Sequence, residues 1–180
     1  MLKIASDIRD VNLIKLADVY QESNLKAGKL TCPIDDLNAQ ILYGEEQFYD
    51  YTMFFLESPE SYYCIWMENE QYVSALRLEA YADGYLLNGL ETAPEHRRQG
   101  YAEKLISCVL QHFLAAKSSK IYSHIDKMNA ASLQLHLKCG FLIIADSARF
   151  LDGSVRGDSY TLLYQYSGAK PSYCEGFAPE

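Results

Sequence analysis

The sequence lacks the features that mark membrane proteins, secreted proteins and small zinc proteins. Its apolar runs are far shorter than the roughly 20 residues of a membrane span, and residues 1–10 lack the uninterrupted apolar region of a signal peptide. The five cysteines are odd in number, widely spaced and without a Cys-x-x-Cys pair. We therefore expect a soluble, cytoplasmic protein with reduced thiols and no membrane partner.

Positively charged residues are few relative to acidic ones, and two common phosphate-binding loops are absent from the sequence. The chain contains neither a Gly-x-x-x-x-Gly-Lys-Ser/Thr loop nor a Gly-x-Gly-x-x-Gly turn. Its 16 Lys and Arg residues are outnumbered by 24 Asp and Glu residues, which gives a formal net charge of -8. Binding to nucleic acid rests mainly on cation contacts to phosphate, so we expect no nucleic-acid partner.

The length and hydrophobic content favour one domain. A chain of 180 residues that is 49% hydrophobic can form one substantial core but is short for two. Because no internal repeat or low-complexity tract divides it, we expect a single domain over residues 1–166 and a C-terminal tail over 167–180. The tail and the segment 147–158 are candidate contact surfaces for a homodimer.

The most informative stretch is a basic turn between an apolar strand pattern and an amphipathic helix. Apolar residues at the spacing of one helical face predict the helix over 101–116, so its N-terminus lies in the turn at 97–102. The unpaired backbone N–H groups of a helix start can bind a diphosphate. The same turn also fits a surface loop that merely leads into a core helix. Two small residues leave the backbone accessible and two arginines add charge: Gly100, Ala102, Arg97 and Arg98.

Two sequence blocks in order resemble one known family. The pattern Arg97-x-x-Gly100-x-Ala102, with a proline and a strand before it, resembles the acyl-CoA pyrophosphate motif of the GNAT N-acetyltransferases. The block from Asn129 to Phe141 is similar to the family's later Asn-x-x-Ala-x-x-x-Tyr-x-x-x-Gly-Phe helix, at the expected distance. The resemblance implies acetyl transfer from acetyl-CoA, as co-substrate, to a primary amine by direct attack in a ternary complex.

The predicted order of elements also matches the GNAT architecture. The resemblance implies an α/β fold (an α+β mixed sheet) in which a central, mostly antiparallel sheet is flanked by helices and its fourth and fifth strands splay apart. The sequence pattern places these two strands at 85–92 and 120–125. We expect the first helix to end before Gly28 and the second, from 34 to 58, to be interrupted near Gly44.

The resemblance also implies which residues hold acetyl-CoA. Backbone amides at the end of the fourth strand hold the acetyl carbonyl and the pantetheine arm, and those of the turn and the first helical turn hold the pyrophosphate. Two side chains of the later helix complete the set. The residues are Leu90, Glu91, Thr92, Arg97, Arg98, Gln99, Gly100, Tyr101, Ala102, Glu103, Asn129 and Ser132.

Three residues are candidates for catalysis. His136 stands where the family usually has the tyrosine that protonates the leaving thiolate, and the ordinary histidine pKa of about 6.5 suits a proton donor. A packing role fits His136 equally well. His124 on the fifth strand and Glu91 at the end of the fourth are rival bases for the incoming ammonium, and each also fits a structural role.

The acceptor is indicated only by charge. Acidic residues cluster in the segment that forms the acceptor side of a GNAT-like fold, which favours a small cationic amine or a protein amine as partner, although they also fit a solvated helix face. No step of this chemistry requires a metal. Since the usual tyrosine is replaced, a non-catalytic acyl-CoA-binding or interaction module of the same fold is the alternative. The acidic residues are Asp35, Asp36, Glu45, Glu46, Glu57 and Glu60.

Overall fold

The computed structural model of the protein describes residues 1–116 and 120–165, and the chain divides into two compact units. Unit 1 comprises residues 1–78 and 89–102, and unit 2 comprises 79–88 and the described residues from 103 onward. The predicted tail at 167–180 lies outside the described residues.

The described residues form nine strands, five α-helices and two single turns of 3-10 helix. The 3-10 turns are Ile8–Asp10 and Pro94–His96. The other elements are β1 Leu2–Ala5, α1 Leu13–Val19, α2 Gln21–Thr31, α3 Leu37–Glu57, β2 Tyr62–Glu68, β3 Gln71–Tyr81, β4 Gly84–Thr92, α4 Tyr101–Ala116, β5 Lys120–Asp126, α5 Ala130–Lys138, β6 Leu142–Ala145, β7 Ala148–Arg149, β8 Val155–Arg156 and β9 Ser159–Gln165.

Seven strands form one mixed sheet in the order β1-β2-β3-β4-β5-β9-β6, while β7 and β8 form a separate hairpin. β1 to β3 pair antiparallel, as do β5, β9 and β6, with register shifts after Trp66 on β2 and after Ile143 on β6. β4 and β5 are parallel, and their ladder joins Tyr85, Leu86 and Leu87 to 121–123 and ends there. This confirms the predicted mixed sheet, with a fourth and a fifth strand that separate after a short parallel ladder.

The core of unit 1 lies between helices and the strands β2 and β3. Asn12 and Asp36 cap α1 and α3 by accepting hydrogen bonds from backbone N–H groups three residues later. Each fully buried large side chain contributes roughly 1.5–3 kcal/mol by leaving water. The buried residues of this cluster are Leu16, Val19, Tyr20, Phe55, Leu56, Tyr63, Ile65, Tyr72 and Ala75.

The predictions for Gly28 and Gly44 were wrong. The first helical region breaks at Tyr20 and then continues through Gly28 to Thr31, and α3 runs uninterrupted through Gly44. A Cβ atom on Gly28 would lie 1.8 Å from the carbonyl oxygen of Gln40, and one on Gly44 would lie 2.0 Å from that of Asn24. These glycines therefore permit a close crossing of α2 and α3 rather than ending a helix.

The core of unit 2 is built around α4, whose predicted bounds are confirmed. The face predicted to be apolar is buried, including Leu105, Ile106, Val109 and Phe113. The ring of Phe113 meets the edge of the Tyr85 ring at a centroid distance of 5.4 Å. The start of β4 and the helix that follows the basic turn are thereby fixed to each other.

The described residues contain neither a membrane-spanning helix nor a metal-binding cluster. Within residues 1–116 and 120–165, no helix is both long and apolar enough to cross a membrane. In the same residues, no three His, Cys, Asp or Glu side chains are grouped so that they could hold a metal ion. The cysteines of this part of the chain are free thiols, and Cys174 lies outside it.

Candidate functional site

The turn that leads into α4 exposes its backbone. After the Pro94–His96 turn, residues 97–100 are exposed, and both Arg98 and Gly100 have left-handed backbone conformations, with φ values of 59° and 81°. A Cβ atom added to Gly100 would meet nothing within 4 Å. An anion can therefore approach the N–H groups of this turn and of the helix start without meeting a side chain at Gly100.

The two predicted arginines differ in their surroundings. The Nε atom of Arg97 donates to the carbonyl oxygen of Thr92 at 3.1 Å, and its Nη2 atom donates to Glu22 on α2 at 2.8 Å. The bond to Glu22 stabilises the charged guanidinium and raises the pKa of Arg97. Arg97 thus ties the turn to the end of β4 and to α2, whereas the side chain of Arg98 is exposed.

The other predicted residues of this turn occupy distinct positions. Gln99 donates from its side-chain amide to the carbonyl oxygen of Glu95 at 3.1 Å. Tyr101 and Ala102 are half-buried at the start of α4. In unit 2, the carboxylate of Glu103 accepts a hydrogen bond from Lys138 on α5 at 2.6 Å, which ties the first turn of α4 to α5.

The end of β4 is held by side chains of neighbouring elements in unit 1. Ser74 on β3 donates to the carbonyl oxygen of Glu91 at 2.7 Å, and Thr92 donates to the hydroxyl oxygen of Ser74 at 2.9 Å. Leu90 is half-buried. Gly89, just before these residues, has a φ of 57°, and its carbonyl oxygen accepts from the hydroxyl of Tyr20 at 2.6 Å.

Unit 1 contains a cavity of about 290 Å³ that we call the unit 1 cavity. It lies between α2, α3, the middle of β3 and the end of β4, and its wall combines aromatic rings with polar groups. Of the catalytic candidates, Glu91 lines it. The lining residues are Tyr20, Ser23, Asn24, Ala27, Gly44, Gln47, Phe48, Tyr51, Arg77 and Glu91.

The surroundings of Glu91 shift the pKa of its carboxyl group. Burial raises its pKa above the ordinary value of 4.5, while a hydrogen bond from the Ser23 hydroxyl and the charges of Arg97 and Arg77 act against this rise. A carboxylate that takes up a proton more readily than an exposed glutamate suits a general base.

Arg77 is fixed at the wall of the unit 1 cavity. Its guanidinium carbon lies 4.6 Å from the centre of the Tyr51 ring and 5.8 Å from that of Phe55. A Cβ atom on Gly89 would lie 2.5 Å from the Nη2 atom of Arg77. The absence of a side chain at Gly89 therefore makes room for the guanidinium.

His136 lies in the interior of unit 2 with 1% of its surface exposed. Its Nδ1 atom donates to the carbonyl oxygen of Ser132 at 2.8 Å, and its Nε2 atom faces the hydroxyl of Ser123 at 3.3 Å. Burial lowers the pKa of His136, although the bond to Ser132 acts in the opposite direction. The ring is therefore neutral near pH 7, with its proton on the Nδ1 atom.

The remaining predicted residues of unit 2 have structural contacts. Asn129 caps α5, because its side-chain oxygen accepts from the backbone N–H of Ser132 at 3.1 Å. The ring of His124 meets Tyr81 and Phe150 at centroid distances of 5.4 and 5.0 Å. Among the described residues, neither ring nitrogen of His124 has a hydrogen-bond partner, and burial lowers its pKa.

Sequence patterns alone do not predict most residues of the unit 1 cavity. The isolated glycine at position 89 within a strand pattern was an available signal, since such glycines often mark a close approach of another group. No local sequence pattern indicates that Arg77 lines a cavity, because its position there depends on contacts with α3 and β4. None of the six acidic residues expected on the acceptor side is among the lining residues of this cavity.

Comparisons with known proteins agree on the fold. The acetyltransferase (GNAT) family model matches residues 30–141. A solved structure of the PaiA N-acetyltransferase from Thermoplasma acidophilum with coenzyme A is similar at 15% identity and a TM-score of 0.63, over 92% of this chain and 99% of that one. A search of curated proteins found no significant match.

Two further structures have the same fold. The spermidine N-acetyltransferase from Vibrio cholerae, in complex with CoA and spermine, has 16% identity and a TM-score of 0.60, over 91% of this chain and 95% of that one. The alanine N-acetyltransferase of a ribosomal protein from Escherichia coli has 15% identity and a TM-score of 0.59, over 97% of this chain and 100% of that one. Because the family model covers more than half of the sequence, this chain belongs to the GNAT acetyltransferase family.

Proposed function

We propose that the protein transfers an acetyl group from acetyl-CoA to a primary amine. The observation that carries this proposal is the exposed turn before α4, where Arg98 and Gly100 have left-handed backbone conformations and the space beside Gly100 is open. A diphosphate can reach backbone N–H donors there. The structures of two similar acetyltransferases contain coenzyme A, which supports the same kind of co-substrate here.

The residues of this chain fit such a co-substrate. When bound, acetyl-CoA supplies an activated thioester. The amides of the turn and the helix start bind its diphosphate, with charge from the exposed Arg98, and the end of β4 orients the acetyl group. Ser74 and Arg97 hold this part of β4 in place through hydrogen bonds to the carbonyl oxygens of Glu91 and Thr92. Such positioning can lower a reaction barrier by about 7–11 kcal/mol.

Glu91 is the residue we assign as the base. The acceptor enters the unit 1 cavity as an ammonium, and the Glu91 carboxylate takes up the proton that the amine must lose before it attacks. The Ser23 hydroxyl, by donating to the carboxylate, fixes its orientation. His124 is the less suitable candidate, because its ring lies between Tyr81 and Phe150.

Amine-dependent release of free thiol from acetyl-CoA tests this assignment. The panel consists of amino acids, polyamines, aminoglycosides and N-terminal peptides. We expect Glu91→Gln to lower kcat/KM about 10²- to 10⁴-fold for the best amine, because a positioned base contributes about that much. In the wild type, kcat/KM should rise with pH as Glu91 loses its proton, with a midpoint above the ordinary value of 4.5. The variant should lack this rise.

A matched control separates catalysis from a change in net charge. Glu46→Gln removes an exposed carboxylate of α3 that does not line the unit 1 cavity, and it should leave kcat/KM unchanged. Wild-type activity in Glu91→Gln would refute the assigned base. Binding of acetyl-CoA without thiol release for any amine would favour the non-catalytic acyl-CoA-binding module.

A further inference from the structure

The unit 1 cavity carries charges of both signs on its wall. Glu91 supplies a carboxylate from β4, and Arg77 supplies a guanidinium from β3. Their charges are close enough to interact, since Arg77 acts to lower the pKa of Glu91. A ligand that fills this cavity therefore meets an anion and a cation together.

The position of Arg77 is built into the backbone. Gly89 has a left-handed backbone conformation, and a Cβ atom there would overlap the guanidinium at 2.5 Å. Tyr51 stacks on the guanidinium from α3. Contacts with two separate elements thus hold the planar group at the wall of the cavity. A fixed guanidinium can bind a carboxylate through two parallel N–H donors.

This pair of charges discriminates between classes of amine. A polyamine would bring a second cation towards Arg77, where like charges repel. None of the acidic residues of α3 that could attract a polycation is part of the cavity wall; they are Glu45, Glu46, Asp50 and Glu57. An amine with a neighbouring carboxylate matches both charges, because its ammonium pairs with Glu91 and its carboxylate with Arg77.

We propose that the acceptor is a zwitterion of the amino-acid type, whose carboxylate is bound by Arg77 while Glu91 receives the proton of its ammonium. This inference rests on the proposed function and names its acceptor class. In the transfer, the amine nitrogen forms the new bond to the acetyl carbon, the thioester carbon–sulfur bond breaks, and the sulfur leaves with the electron pair. The second proton that the nitrogen loses is carried by solvent to the departing thiolate, which gives the free thiol. The apolar part of the acceptor contacts the aromatic rings of the wall: Tyr20, Phe48 and Tyr51.

Matched pairs of acceptors test the inference on the wild-type protein. L-Phenylalanine and phenethylamine differ only in the carboxylate, and spermidine represents the polycations. We expect kcat/KM for thiol release to be about 10- to 100-fold higher with L-phenylalanine than with phenethylamine, the range that one charged hydrogen-bonding group provides. Equal or higher kcat/KM with phenethylamine or spermidine would overturn the inference and leave the proposed function intact.

Variants of Arg77 test whether this residue causes the preference for L-phenylalanine over phenethylamine. Arg77→Gln should remove the advantage of L-phenylalanine, so that the ratio of its kcat/KM to that of phenethylamine falls about 10- to 100-fold. Arg77→Lys should restore part of it, because the charge is kept and the paired N–H geometry is lost. An unchanged preference in folded Arg77→Gln would refute the role of Arg77. Absence of thiol release with every amine would overturn the proposed function, and the inference with it.

Discussion

At the scale of single residues, burial acts in opposite directions on the two catalytic candidates Glu91 and His136. It disfavours the charged form of each group, so it raises the pKa of the carboxyl and lowers that of the imidazole. The carboxylate of Glu91 therefore gains basicity. The imidazole is neutral, and its Nδ1 proton is already donated to Ser132, which favours a packing role for His136 over proton donation.

His136→Phe tests that interpretation. We expect kcat to change by less than about ten-fold, whereas loss of a general acid would lower it about 10²- to 10⁴-fold. The variant should be less stable at neutral pH by about 0.5–1.5 kcal/mol, because the hydrogen bond from His136 to the Ser132 carbonyl oxygen is lost. Thiol release and chemical denaturation measure the two effects. A loss of kcat by 10²-fold or more, without a change in fold, would restore the proton-donor hypothesis.

The stability of the His136→Phe variant should also depend on pH differently from that of the wild type. The unfolded chain protonates His136 near the ordinary value of 6.5, while in the folded protein its pKa is lower. The wild type therefore has its full stability above that pH and loses part of it as the pH falls towards the folded-state pKa. The stability difference from His136→Phe should shrink between neutral pH and about pH 5. An unchanged stability difference over this range would contradict the neutral, buried imidazole.

At the scale of elements, the crossing of α2 and α3 shapes the unit 1 cavity. Gly28 and Gly44 bring the two helices so close that each glycine faces a backbone carbonyl of the other helix. Gly44 and the neighbouring Asn24 are also part of the cavity wall. A side chain at this crossing would push the helices apart and change the shape of the cavity.

Gly44→Ala is expected to destabilise the protein by about 1–3 kcal/mol, the usual range for overpacking a tight contact. The destabilisation outweighs the better helix propensity of alanine, which is about 1 kcal/mol. Denaturant unfolding measures the difference. The matched control is Asn38→Ala on the exposed face of α3, which should be neutral or slightly stabilising. Equal or greater stability in Gly44→Ala would contradict the close crossing.

Local signals made most elements predictable. α4 has the predicted bounds, and β4 and β5 differ from theirs by one residue at one end, because the signals of alternation and helical spacing lie within the elements themselves. Gly28 and Gly44 were misinterpreted, because what decides their role is a contact between helices. Glu91 is a candidate because of its place at the end of a strand. The role of Arg77 in the cavity wall depends on its contacts with α3 and Gly89, and the periodicity of the sequence does not reveal such contacts.

At the scale of the whole molecule, two short blocks were enough to identify the family. The similar structures share only 15–16% of their residues with this chain but cover more than 90% of it, so the fold is retained while most side chains differ. The residues proposed to hold the diphosphate lie in the first of these blocks. The residues proposed to recognise the acceptor, Arg77 and Glu91, lie outside both blocks, and for that reason the acceptor class is inferred from the unit 1 cavity.

The proposed acetyl-CoA site in the turn at Gly100 can be tested with two matched glycines. Gly100 and Gly153 have φ values of 81° and 84°, and a Cβ atom on either would meet nothing within 4 Å. Replacing either one by glutamate therefore imposes a similar backbone strain, about 1–2 kcal/mol. Only Gly100→Glu places a negative side chain at the proposed diphosphate site.

Calorimetric titration with acetyl-CoA is the most direct measurement. We expect the wild type and Gly153→Glu to bind with similar affinity. Gly100→Glu should bind at least about 100-fold more weakly, because charge repulsion and lost backbone hydrogen bonds together weaken the binding free energy by about 3 kcal/mol or more. Equal thermal stability of the two variants would show that the loss is local. Unchanged affinity in Gly100→Glu, or no binding by the wild type, would contradict the account.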